Sequence, residues 1–260
     1  MRSPLLLALA ALLAVVPMAA GQTFIFGTQA AQNTTTSYPT PYGNFYSGMR
    51  AQYLYQAQEL VMAGMVPGNI TFIGFPVVTA GTPDLTPLAG SDGYLDAFEI
   101  KMGLTTTMNL SGNWDTPGVV PLTTVYGPDN QWQDLPGWNY HLLPAPFFWD
   151  GTSNILIEIC HWNGVASWGY NAVVYNSPTP FVSALTYRED TNPSCYGGQA
   201  ATQLDSIRPD TAFGYGVPPG PEFQTNSPAS SLDINGLAGS TLNAAQSYVA
   251  VGSQNNLNLS

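Results

Sequence analysis

Residues 153–162 read SNILIEICHW. Ile155, Ile157 and Ile159 fall on one side of an extended chain, and Leu156, Cys160 and Trp162 fall on the other. A strand that is apolar on both faces belongs in the middle of a sheet that is covered on both sides. The Trp149-Asp150-Gly151 phrase just upstream is a turn signal, because Asp-Gly supports the tight geometry that precedes such a strand. Working outward, residues 95–102 place Phe98, Ile100 and Met102 on one face and Glu99 and Lys101 on the other. Residues 69–78 align Ile73, Phe75 and Val77, with Pro76 pointing to an edge or a bulge. Further strands are expected at 24–28, 49–56, 122–126, 138–143, 172–175, 181–188 and 211–215. One helical piece stands out at 57–64, where Gln58, Glu59, Leu60, Met62 and Ala63 favour a helix and Gly64 ends it. The Thr-rich stretch 33–42, with two prolines, reads as an extended arm or loop. The pattern predicts an all-β, antiparallel sandwich or barrel with a single short connecting helix.

Composition supports this class. Charged residues make up 8% of the 260, where a soluble domain usually has about 25%. Lys101 is the only lysine, so long helices with Glu and Lys on their outer faces are nearly excluded. Residues 1–21 have the form of a secretory signal, with a charge at Arg2, an apolar run at 5–16, Pro17, and small residues at Ala19 and Gly21 before Gln22. No later stretch approaches the roughly 18 apolar residues of a membrane span. With the leader removed, 4 basic side chains face 16 acidic ones, since Arg2 is one of the 5 basic residues. That balance argues against nucleic acid and anionic membranes, both of which are bound through clustered Lys and Arg. Residues 22–216 are read as the sandwich domain and 217–228, rich in proline, as a linker. Residues 229–260 are too few for an ordinary core and are read as the start of a second, truncated β module.

Several phrases carry a family resemblance: YPTPYGNFYSGMRAQYLY at 38–55, AQELVMAGMVPGNITFIGF at 57–75, LDAFEIKMG at 95–103, VYGP at 125–128 and GWNYHLLPAPFFWDGTSNILIEIC at 137–160. Together they resemble the N-terminal β-sandwich module of large secreted multidomain surface proteins of Gram-negative bacteria. The resemblance covers roughly residues 37–215. It implies an exported, jelly-roll-like, non-catalytic module of surface or adhesion proteins, with further domains downstream in the same chain. It brings no ligand.

The residues that carry chemistry are few. Cys160 and Cys195, in a chain read as exported, are expected to form a disulfide rather than remain free thiols. A loop of this length would stabilise the fold by about 3–4 kcal/mol on a chain-entropy argument. A Cys160–His161 catalytic pair is disfavoured because neighbours in a strand point to opposite faces. His141 and His161 are the only histidines, and no zinc or nucleophile motif accompanies them, so both read most simply as strand residues. Glu99 and Glu158 are the strand-borne carboxylates that a glycosidase would need as a pair. The plainer expectation is that Glu158 faces solvent or meets Arg188. Asp84, Asp92 and Asp96 crowd one loop with Gly93 and offer the hard oxygen donors that calcium takes, but no D-x-D/N-x-D/N-G loop is present and turn-forming aspartates are the commoner explanation.

Aromatic residues are the most suggestive signal for binding. Trp114, Trp132 and Trp138 lie among turns with Asn113, Asp115, Asn130, Gln131, Gln133 and Asp134 nearby. Indole faces flanked by hydrogen-bonding groups hold sugar rings, whereas a tryptophan in a sandwich also serves as a core or edge plug. The expected ligand surface comprises Trp114, Trp132, Asp134 and Trp138, the expected partner being a polysaccharide or cell-surface glycan. Two other functions stay open: an accessory front domain of a secreted hydrolase, and a purely structural spacer.

Overall fold

The computed structural model describes residues 21–82, 95–114, 121–129, 134–164, 169–195 and 200–219. The stretch read as a leader, save Gly21, lies outside these residues, as do most of 217–228 and all of 229–260. The described chain folds into two antiparallel sheets with one short helix, an all-β sandwich. Its elements are β1 (Gln22–Phe26), β2 (Ala31–Gln32), β3 (Gly48–Tyr55), α1 (Ala57–Met62), β4 (Gly68–Thr79), β5 (Phe98–Thr105), β6 (Thr123–Asp129) and β7 (Gly137–Trp149). They continue as β8 (Asn154–Trp162), β9 (Val173–Pro178), β10 (Ala184–Glu189), β11 (Gln203–Asp205), β12 (Ile207–Pro209) and β13 (Thr211–Tyr215).

Four strand pairs nest inside one another along the chain: β1 with β13, β3 with β8, β4 with β7, and β5 with β6. A long hairpin with that nesting, rolled so that its pairs alternate between two layers, is a jelly roll. The first layer runs β1-β13-β4 with β7 on the free edge of β4, and the second contains β3-β8-β5-β6. The segment β9 to β12 interrupts the nesting between β8 and β13. Its β10 and β11 extend the second layer beside β3, and β9 and β12 extend the first beside β4.

β8 has the central place that its double apolar pattern demands, paired with β3 on one side and β5 on the other. Ile155, Ile157 and Ile159 enter the core between the layers, with Phe75, Phe98, Met102 and Phe213. Leu156 points outward into a second cluster with Leu54, Leu185, Leu110 and Trp114, so the 106–114 loop covers that outer face. Burying each of these large side chains stabilises the fold by about 1.5–3 kcal/mol, which explains why both faces of the strand are apolar.

Three expectations need adjustment. β4 is interior rather than an edge, and the bulge reading of Pro76 is the nearer one: it stands where β4 exchanges its partner β13, paired as far as Gly74, for β9, which begins opposite Val77 and shifts register before Thr79. A residue without an N–H fits a point where the neighbouring ladder changes. The stretch 33–42 is a loop, but it is not an exposed arm: Tyr38, Thr40 and Tyr42 are buried, and Tyr42 joins the core. The helix is shorter than expected, at six residues. Glu59 anchors its start by accepting from the Gln56 N–H at 2.8 Å, and Arg208 Nη2 holds the same carboxylate at 2.8 Å.

Candidate functional site

The outward face of the first sheet carries a row of aromatic and apolar side chains. Along β7 the chain alternates, sending Asn139, His141 and Leu143 inward and Trp138, Tyr140 and Leu142 outward. The Trp138 and Tyr140 rings lie within 9° of parallel, their centroids 5.9 Å apart, and both are half-buried. On β4 the register sets Pro76 opposite Trp138, Gly74 opposite Tyr140 and Phe72 opposite Leu142. Glycine is required at two places on this face. A Cβ on Gly74 would stand 2.6 Å from the Tyr140 ring, and one on Gly214 would stand 1.8 Å from the Phe72 ring. Each ring therefore lies over a neighbouring strand at a place where no side chain stands in the way. Phe72 is fully buried although it faces outward, because Tyr140 meets it edge-on at 5.4 Å and 85°. Leu142 remains 57% exposed beside them.

The predicted aromatic surface is not assembled as one. Trp114 is buried in the cluster outside the second sheet, and the Arg50 guanidinium sits 4.4 Å from its ring centroid. It covers the layer opposite to Trp138. Asp134 is buried and accepts from the Gly81 N–H at 2.7 Å; burial pushes its carboxyl above the ordinary value. Trp132 lies outside the described residues, as do Asp84 and Asp92 of the calcium reading. Asp96 uses its backbone to bridge strands, its N–H donating to Asn163 Oδ1 and its carbonyl accepting from the Trp162 N–H. Among the described residues no group of three His, Cys, Asp or Glu side chains is placed to hold a metal.

The strand carboxylates have a different environment from the expected one. Glu158 neither faces solvent nor meets Arg188; it is buried, bonded to Arg50 Nη2 at 2.7 Å and to Gln52 Nε2 at 2.8 Å. Residues 50, 52 and 158 face outward from adjacent strands, with Arg50 opposite Cys160 and Gln52 opposite Glu158, so strand register decides the pairing. Lys101 lies between the two acids, 3.0 Å from Glu99 and 3.8 Å from Glu158. Thr124 Oγ1 donates to Glu99 at 2.6 Å. Arg188 is instead over the Tyr38 ring at 4.8 Å and donates to Gln203 Oε1 at 2.7 Å.

Both histidines are buried strand residues. His141 shares a 2.8 Å hydrogen bond with the Tyr42 hydroxyl and stacks on Phe98 with centroids 5.3 Å apart; burial lowers its pKa to about 3. His161 is hydrogen-bonded through Nε2 to the Gly43 carbonyl, and burial lowers its pKa to about 4. Cys160 is joined to Cys195 with their Cα atoms 5.3 Å apart. Asp150 shapes the turn before β8 by accepting from the Thr152 and Ser153 N–H groups and the Ser153 hydroxyl, which lowers its pKa to about 2. No helix among the described residues is long and apolar enough to cross a membrane.

Sequence reasoning named Trp138 and did not name Tyr140, Phe72 or Leu142, which share its face. The signal was present in the alternation of 138–143, which separates Trp138, Tyr140 and Leu142 from His141, and in the glycines at 74 and 214. Compared with known proteins, the chain matches no family model, no curated protein and no solved structure.

Proposed function

We propose that this chain is an exported, non-catalytic recognition module of a larger surface protein, and that it holds a polysaccharide or cell-surface glycan on the outward face of the first sheet. The observation that carries the reading is the parallel pair Trp138 and Tyr140, half-buried on β7 with the exposed Leu142 alongside. Parallel rings mounted on a strand offer stacking surface to the apolar faces of sugars with little ordering cost, because Tyr140 is already seated over Gly74 and Trp138 is stacked beside it. Export is supported by the leader-like residues 1–21 and by the disulfide, which forms in oxidising compartments. The non-catalytic reading is supported by the occupation of the groups that would do chemistry. Both histidines are buried and hydrogen-bonded, and Glu99 and Glu158 are neutralised by Lys101 and Arg50.

Affinity electrophoresis or calorimetry of the full chain against a panel of soluble polysaccharides tests this. Saturable binding is expected, weakened by about 1–3 kcal/mol in Trp138→Ala or Tyr140→Ala. Trp114→Ala, on the opposite layer, should affect stability without this specific loss. Silence across the panel, with the variants folded, would defeat the glycan reading in favour of a spacer module.

A further inference from the structure

We infer that the ligand class of this face is an uncharged polysaccharide and that the protein discriminates against acidic ones. The inference rests on the glycan reading above and adds the charge of the ligand. Anionic sugars are held by guanidinium or ammonium groups that point at carboxylate, sulfate or phosphate. The chain has five basic side chains, of which Arg2 lies outside the described residues. Each of the other four is engaged inside the fold.

Arg50 is bonded to Glu158 and stacked on Trp114. Lys101 lies between Glu99 and Glu158. Arg188 lies over Tyr38 and donates to Gln203. Arg208 is bonded to Glu59 and to the Leu54 carbonyl, with its guanidinium 4.0 Å from the Tyr55 ring centroid. Three of the four, Arg50, Lys101 and Arg188, belong to strands of the second sheet, the layer away from Trp138. Arg208 is 5% exposed.

The outward positions beside Trp138 and Tyr140 add no charge. On β4 they are Phe72, Gly74 and Pro76, and on β13 they are Ala212 and Gly214. A net charge of −11 adds a repulsive field to a face that has no cation to offset it. Stacking and hydrogen bonding remain, and both suit a neutral sugar.

The test uses polymers matched in backbone and differing in charge: hydroxyethylcellulose against carboxymethylcellulose, and dextran against dextran sulfate, with galactomannan as a further neutral member. The full chain is titrated at low and high salt. The expected result is binding to at least one neutral polymer, insensitive to salt, with its acidic counterpart about tenfold weaker or unbound at low salt. Trp138→Ala should weaken the neutral binding by about 5- to 150-fold. Leu142→Lys places an ammonium at an exposed position of the same face and should bring acidic-polymer binding that fades with salt.

Equal or tighter binding of an acidic polymer by the natural chain, lost in Trp138→Ala, would overturn the inference and leave the glycan reading standing. Neutral binding with no acidic gain in Leu142→Lys would also overturn it, since the charge of the face would then not decide the ligand. Silence for every polymer would overturn both. So would a concentration-dependent dimer in sedimentation that Trp138→Ala dissolves, because the face would then belong to a second copy.

Discussion

Replacing Arg50 with methionine should cost far more stability than its replacement together with Glu158→Gln. The two side chains are 6% and 3% exposed and bonded at 2.7 Å, with the Trp114 ring over the guanidinium. Removing the arginine alone leaves a buried carboxylate supported by Gln52 and by Lys101 at 3.8 Å. Breaking a buried pair from one side costs about 3–5 kcal/mol, of which the lost ring contact accounts for about 0.5–2 kcal/mol. In the double variant no carboxylate is stranded at position 158, the amide that replaces it still accepts from Gln52, and the methionine packs against Trp114. About 1–2 kcal/mol of loss is expected, roughly 2–3 kcal/mol less than for Arg50→Met alone, and the cost of Glu158→Gln by itself adds to that difference in the coupling energy. Urea unfolding of the four proteins in a double-mutant cycle reads this directly. With a slope near 2 kcal/mol per molar, Arg50→Met shifts the midpoint down by roughly 1.5–2.5 M. Strictly additive effects, or a loss below about 1 kcal/mol for Arg50→Met, would show the pair behaving as a solvated surface bridge and refute the reasoning.

Three further outcomes follow from the packing. Replacing both Cys160 and Cys195 with serine opens a loop of 35 residues and should lower stability by about 3.8 kcal/mol on the chain-entropy model, checked by thermal and urea melts with and without reductant. His141 and His161 have folded pKa values of about 3 and about 4, below the ordinary 6.5, so their neutral forms favour the native state. That contribution is complete above 6.5 and is lost as pH falls toward the folded values, at about 1.4 kcal/mol per histidine per pH unit. Melts between about pH 7 and pH 5 should show it, set against the raised carboxyls of Asp134, Asp205 and Asp210, which act in the opposite sense, and His141→Phe should remove one histidine's share of the slope. Gly214→Ala drives a methyl into the Phe72 ring and should cost about 1–3 kcal/mol while disturbing Tyr140 above it; an unchanged melting point would mean that Phe72 moves aside freely.

Strand positions were legible where a local pattern sufficed. The double apolar face of 153–162 marked the central strand, and the alternation of 95–102 marked a strand with one face in the core. The six-residue helix and the disulfide were also readable, the first from helix-forming residues ending in glycine and the second from two cysteines in a chain read as exported. The surroundings of Glu158 were not legible, because its outward face looks like a route to solvent. Nothing in the linear pattern says that the 106–114 loop folds over that face and makes it a second core. Trp114 and Trp138 part company for a related reason, since nearness along the chain does not become nearness in space.

What the sequence determined by itself is the local layer of this protein: a chain of strands with one short helix, the opposing faces of the strands at 69–78, 95–102 and 153–162, its sparse charge and its single pair of cysteines. These follow from side-chain alternation and composition, which need no knowledge of distant partners. Tertiary structure decided which face meets which. The nested pairing that rolls the hairpin into a jelly roll, the burial of Arg50 and Glu158 between Trp114 and the sheet, and the seating of Tyr140 over Gly74 and of Phe72 over Gly214 all depend on register between strands far apart in sequence. A shift of one residue would turn each of those contacts to the other face, so the pairing that buries the greatest apolar area selects them together.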